Sequence, residues 1–150
     1  MTTVHGTCLV VASAGLLLRG PSGAGKSDLA LRLIHDGNAR LVADDQVRLK
    51  ASDDGALRAS PPEILAGRIE VRGIGILDIE HEASCRLDAV IDLVPREAVE
   101  RLPEPMQETI AGVVLPRFCL HAFDASASAR LHLIARRCLT AHSEGAVHGR

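Results

Sequence analysis

An α/β fold is predicted from two observations: short apolar runs that close in glycine- or aspartate-containing turns, and segments that read as helices among them. In chain order, residues 4–12 and 15–19 read as strands around a Ser13-Ala14-Gly15 turn. A glycine-rich loop follows, then a helix over 27–35. Its Leu29, Leu31, Leu33 and Ile34 occupy mixed faces, which suits a helix packed in the core, and Gly37 is placed to stop it. Residues 40–43 form a short strand ending in Asp44-Asp45. Residues 46–51 and 56–59 read as a hairpin around Asp53-Asp54-Gly55. Pro61-Pro62 opens a short helix to Ala66, and 69–79 alternates apolar residues, interrupted by Gly73 and Gly75. Residues 86–94 make a strand, 96–102 a short helix, 103–112 an irregular stretch and 113–123 an extended one. The last helix covers 125–140, and 142–150 reads as a flexible polar tail. No internal repeat or linker divides the chain, so 1–150 is expected to be one domain.

Composition narrows the function classes. Trp and Tyr are absent and Phe occurs twice, so the core is aliphatic and an aromatic platform for single-stranded nucleic acid is not expected. The net charge is -2 with no run of Lys or Arg, which argues against nucleic-acid and membrane-surface roles. Cys8, Cys85, Cys119 and Cys138 lie far apart without a CxxC pair and read as free thiols of a reducing cytoplasm. The apolar run 8–18 is too short to span a bilayer and leads directly into the glycine-rich loop, so it reads as structure and not as targeting. His35, His81, His121 and His132 show no metal-ligand spacing, and no zinc site is assigned.

The chemistry concentrates in Gly20-Pro21-Ser22-Gly23-Ala24-Gly25-Lys26-Ser27, a GxxxxGKS phosphate-binding loop between a strand and a helix. Its glycines let backbone N–H groups turn inward onto phosphate oxygens, and the helix adds its positive N-terminal end. Lys26 supplies charge to the β- and γ-phosphates, and the Ser27 hydroxyl is a ligand for bridging magnesium. ATP with Mg2+ is therefore the expected cofactor pair, and a small phosphotransferase the expected enzyme. Such an enzyme also needs an acid. Leu41-Val42-Ala43-Asp44-Asp45 puts two carboxylates at the C-terminal end of a buried strand, where α/β sheets bind ligands. On an extended chain only one of the two would face the phosphates. Glu70-Val71-Arg72-Gly73-Ile74-Gly75-Ile76-Leu77-Asp78 lacks the third glycine and the helix of a dinucleotide fingerprint, and taken alone it reads as a kinked strand whose glycines would let a backbone approach a ligand.

Together these pieces resemble the catalytic domain of the bacterial HPr kinase/phosphorylase family. The likeness lies in Val4-His5-Gly6, GPSGAGKS at 20–27, LVADD at 41–45, and 70–79 as the family's EIRGLGIIDV-like signature. It extends over roughly residues 4–135. It implies the P-loop fold shared with phosphoenolpyruvate carboxykinase, a mixed sheet with flanking helices, in a short form without the family's N-terminal domain. It further implies ATP-dependent phosphorylation of a serine on HPr or an HPr-like phosphocarrier, in a cytoplasmic homo-oligomer, a hexamer by resemblance. Ser27 and Glu70 are implied magnesium ligands, Asp44 the base that takes the serine proton, His5 a neighbour of the transferring phosphate, and Arg101 the late catalytic arginine. One segment departs from the family: where a PVxxGRN-like stretch is expected, residues 120–126 read Leu-His-Ala-Phe-Asp-Ala-Ser, without the glycine and the basic residue. The expectation is a kinase with weak or no phosphorolysis, and the same departure weakens the case for the hexamer. The competing readings are a P-loop kinase of a small acceptor and a non-catalytic ATP-binding regulator.

Overall fold

A computed structural model describes residues 1–148, with side chains to residue 141. Among the described residues, nine strands form one mixed sheet and two more form a separate ribbon. The strands are β1 (Thr2–His5), β2 (Thr7–Val11), β3 (Ala14–Arg19), β4 (Ala39–Ala43), β5 (Gln46–Ala51), β6 (Leu57–Ser60), β7 (Arg68–Val71), β8 (Gly75–Asp78), β9 (Cys85–Leu93), β10 (Met106–Ile110) and β11 (Val113–Leu120). The helices are α1 (Lys26–His35) and α2 (Ala127–His148).

The centre of the sheet is β3, antiparallel to β2 and parallel to β9, which in turn runs parallel to β11. Both faces of β3 are covered, so its run from Ala14 to Leu18 is apolar without alternation. Leu16 and Leu18 point to a core shared with Leu29 and Leu33 of α1 and Leu131 of α2. Leu17 points the other way, into a second core with Val42, Val47, Leu49, Val90 and Leu115. Helix α1 buries Lys26, Leu29, Ala30 and Leu33, the i, i+3, i+4, i+7 stripe of one helical face. It ends as its sequence predicts: Gly37 has φ 77°, and the Gly37 and Asn38 N–H groups donate to the carbonyls of Ile34 and Leu33 at 3.0 and 2.9 Å.

Several expectations are corrected. The run 4–12 is two strands: β1 leaves at Gly6 to pair with β5, whereas β2 pairs with β3 and β4. The β2–β3 turn sits at Ala12-Ser13, both at positive φ, one residue earlier than its glycine suggests. Residues 69–79 are not one kinked strand but belong to the antiparallel ribbon β7–β8. Only Arg96–Ala98 of the expected helix 96–102 is helical, as one 3-10 turn. The stretch 103–112 contains β10, held by β11 through five register pairs. The backbone of α2 stays helical past Thr140 to His148; of the expected tail, residues 149–150 lie outside the described residues.

Candidate functional site

Residues 20–25 connect β3 to α1, and this loop borders a cleft of about 690 Å³. The N-cap of α1 is Gly25 at φ 99°, and a Cβ there would lie 2.7 Å from Ala122 Cβ and 3.0 Å from Phe123 Cζ. Only glycine fits, for backbone and for space. Lys26 is buried and its Nζ donates to the carbonyls of Gly20 and Pro21 at 2.5 and 3.0 Å, which centres the ammonium over the loop. Burial pushes this amine below the ordinary lysine range, against the opposing pull of Asp44 and Asp45.

Asp44, at the end of β4, is 6% exposed. Its Oδ1 accepts from Thr7 Oγ1 at 2.7 Å and Ser27 Oγ at 2.9 Å; its Oδ2 is 3.2 Å from the same Ser27 hydroxyl and accepts the Glu70 N–H at 3.3 Å. One carboxylate thus joins β2, α1, β4 and β7. Asp45 does not continue the extended chain. It adopts φ 74°, and its side chain turns into the same cleft, 3.4 Å from His5 Nδ1. Both acids therefore line the cleft, where a continued extended chain would have turned one away.

The cleft gathers His5, Ser22, Gly23, Gly25, Lys26, Ser27, Asp44, Asp45 and Glu70 from the predicted motifs. Gly20 and Pro21 belong to the loop through their carbonyls on Lys26, and Ala24 through its N–H on the Pro21 carbonyl at 3.0 Å. Arg101 is exposed, in the segment between β9 and β10, and does not line this cleft. Sequence reading missed Thr7, the fully buried hydroxyl that fixes Asp44, and Arg68, Leu65 and Phe123 on the cleft wall. Arg72 also lines it, from the β7–β8 turn, and was visible only as part of a signature.

Behind the loop stands a charged network that the sequence does not announce. Arg19, the residue before the loop, donates to Asp92 through Nε at 2.8 Å and Nη2 at 3.1 Å, and to Glu108 through Nη1 at 2.5 Å and Nη2 at 2.6 Å. Arg117 Nε adds a 2.5 Å bond to Asp92. The Arg19 bond holds the Glu108 carboxyl below the usual range. At Asp92, burial works the other way, but the bonds from Arg19 and Arg117 together prevail and its pKa is also lowered. The network ties the β10–β11 hairpin to the base of the phosphate loop.

Metal fit rests on donor chemistry. Ser27, Asp44 and Glu70 offer hard oxygens in one cleft. Among the described residues no cluster of three or more His, Cys, Asp or Glu forms a metal cage. Magnesium bound through one or two carboxylates and substrate phosphates requires none. No helix among the described residues is long and apolar enough to cross a membrane.

Known proteins share this architecture. The chain superposes on the "Hpr(Ser) kinase/phosphatase from Coxiella burnetii" with a TM-score of 0.84 and 27% identity, covering 95% of this chain and 99% of that one. It is 40% identical over 124 residues to the HPr kinase/phosphorylase of Acidovorax sp., covering 75% of this chain and 39% of that protein. Against the HPr kinase/phosphorylase of Enterococcus faecalis it is 47% identical over 78 residues, 52% of this chain and 25% of that protein. It thus spans well under half the length of these curated relatives. The profile of the HPr Serine kinase C-terminal domain matches residues 1–122, which include the loop, the acidic pair and the β7–β8 ribbon, and the chain belongs to that family.

Proposed function

We propose that this chain is an ATP- and magnesium-dependent protein kinase that phosphorylates a serine of HPr or of an HPr-like phosphocarrier. The observation that carries the reading is the hydrogen-bonded unit of Ser27 and Asp44 beside Lys26, inside a cleft walled by Glu70, His5 and Asp45. A phosphoryl transfer needs positive charge on the transferred group, oxygen ligands for the ion, and a base for the acceptor proton, all within one site. The names of the relatives add HPr as the acceptor class.

In this mechanism the backbone N–H groups of the loop and Lys26 bind the nucleotide phosphates. Ser27 and Glu70 would hold the magnesium, which when bound would supply positive charge beside the phosphate oxygens. Asp44 accepts the proton of the serine hydroxyl. His5, 3.4 Å from Asp45 and lining the same cleft, would stand near the transferring phosphate. Arg68 and Arg72 bring further positive charge to the cleft wall, which Arg101 does not line.

A second reading of the base rests on one observation. Asp45 opens to the cleft, 62% exposed, whereas the oxygens of Asp44 are engaged by Thr7, Ser27 and the Glu70 N–H. The decisive experiment incubates the protein with labelled ATP, magnesium and the HPr-like carrier of the same organism, alongside Lys26→Ala, Asp44→Asn and Asp45→Asn. Label on a carrier serine, lost with the first two variants, supports the proposal. Loss only with Lys26→Ala and Asp45→Asn moves the base to Asp45. Nucleotide binding without transfer to any carrier overturns the kinase reading in favour of a regulator or a small-molecule kinase. Phosphate-dependent removal of the label at a rate comparable to the forward reaction would contradict the expected weakness of phosphorolysis.

A further inference from the structure

The phosphate loop has two sides, and the proposed kinase chemistry uses one of them. On that side stand Lys26, Ser27, Asp44 and Glu70. On the other lies a groove of about 470 Å³, floored by the loop itself and walled by Leu93, Val94 and Pro95 at the end of β9 and by His121 and Phe123 after β11. The two depressions share Ser22, Gly23 and Phe123. Resting on the nucleotide-binding reading above, we propose that this groove receives the nucleoside base of the phosphate donor, with Phe123 as the stacking face.

The polarity of the donor requires such a place. Its terminal phosphate must meet the lysine, the serine and the acids, so its nucleoside end leaves the loop away from them. The sugar tethers the base close to the phosphates, so the base can only reach surfaces that adjoin the loop. Strands β3, β9 and β11 are mutually parallel, so the loop, residues 93–95 and residues 121–123 all emerge at one sheet edge, where ligands of such sheets bind.

The chemistry of the groove suits a flat heterocycle. Phe123 is one of only two phenylalanines in the chain, yet it is 54% exposed. Its ring is held against the loop, because a Cβ on Gly25 would lie within 3.0 Å of its Cζ, and it packs edge-on to His121 with centroids 5.8 Å apart. The His121 ring is fixed in turn by the 2.9 Å hydrogen bond between Nδ1 and the Val94 carbonyl. A preset aromatic face beside a phosphate loop binds any base through its π surface.

Calorimetry with magnesium tests this on the intact protein, using ADP and inorganic pyrophosphate as probes. Phe123→Ala is expected to weaken ADP binding roughly tenfold, within the range of base–aromatic stacking, and to leave pyrophosphate within about twofold. Phe123→Trp, in a chain with no other Trp or Tyr, is expected to change its emission with ADP and not with pyrophosphate. Unchanged ADP affinity in Phe123→Ala, equal loss of both ligands, or unmodified protein that takes pyrophosphate but not ADP would overturn the base groove while leaving the phosphate loop intact. Failure of the unmodified protein to bind either ligand would overturn the nucleotide reading and this inference with it.

Discussion

Replacing Asp44 by asparagine separates its structural work from its proposed chemistry. The carboxylate accepts hydrogen bonds from Thr7, Ser27 and the Glu70 N–H, and it is almost fully buried. The amide keeps the shape and one acceptor oxygen, which still serves Thr7 and Ser27. Its NH2 replaces the oxygen that faces the Glu70 N–H, so that bond is lost, and the remaining bonds no longer end on a charge. A neutral hydrogen bond contributes about 1 kcal/mol and one to a charged group about 1.5–3 kcal/mol, so Asp44→Asn should cost about 1–3 kcal/mol of stability. For a chain of this size that lowers Tm by roughly 3–9 °C, so the variant remains folded at 25 °C. The loss of a general base costs about 10²- to 10⁴-fold in rate, a far larger effect. The assay is carrier phosphorylation from labelled ATP, with a thermal melt and ADP calorimetry on the same sample. Intact ADP binding with transfer below about 1% of the unmodified rate is the expected outcome. Transfer above about a tenth of that rate in a folded, ADP-binding variant would refute the assignment of the base.

Three other outcomes are expected. Gly25→Ala forces a side chain onto φ 99° and against Ala122 and Phe123; it should cost about 2–4 kcal/mol and abolish ADP binding, read by melt and calorimetry. The lowered carboxyl pKa values of Asp92 and Glu108 mean that their contribution is present above the unfolded carboxylate pKa, about 4, and is lost as pH falls through the folded values. Denaturant melts of the unmodified chain should lose stability below about pH 4, and Arg19→Ala, about 2 kcal/mol less stable at pH 7, should lose less on acidification. In the native state a thiol reagent at pH 8 should modify the half-buried Cys119 first. Cys8, Cys85 and Cys138 should react only on unfolding: all three are buried, the Cys85 contact and burial raise the Cys8 thiol, and burial pushes Cys138 up to about 11.

The parts of this molecule that are local in sequence were legible. The GxxxxGKS loop, the helix after it and the glycine that stops that helix depend on neighbours a few residues away, and their residue types admit little else. The strand β3 was visible as an unbroken apolar run because both its faces are buried. What failed had weak local signals. Met106–Ile110 is a half-exposed edge strand of mixed residues, and only its partner β11 makes it a strand. The turn at Ala12-Ser13 uses two residues that rarely take positive φ, so the adjacent glycine drew the expectation one position late.

The site was legible as a set of motifs but not as an arrangement. Nothing in Leu41-Val42-Ala43-Asp44-Asp45 reveals that the chain turns left-handed at Asp45 and brings both acids to the cleft. That turn is held from outside the motif, by the Gly6 N–H donating to the Asp45 carbonyl at 3.1 Å. Thr7 supplies the buried donor to Asp44 from 37 positions away, and by residue type it is an ordinary strand threonine. Arg19 reads as a strand-end charge, although its guanidinium bonds carboxylates 73 and 89 positions further along. These long-range partners fix the two ends of the machinery, the acid through Thr7 and the loop through Arg19, so the phosphate loop is held in place by residues that no phosphate-binding pattern contains. Perturbing Arg19 should therefore alter nucleotide affinity through the position of the loop without removing any group that touches phosphate. Equal ADP affinity in a folded Arg19→Ala protein would confine the network to stability.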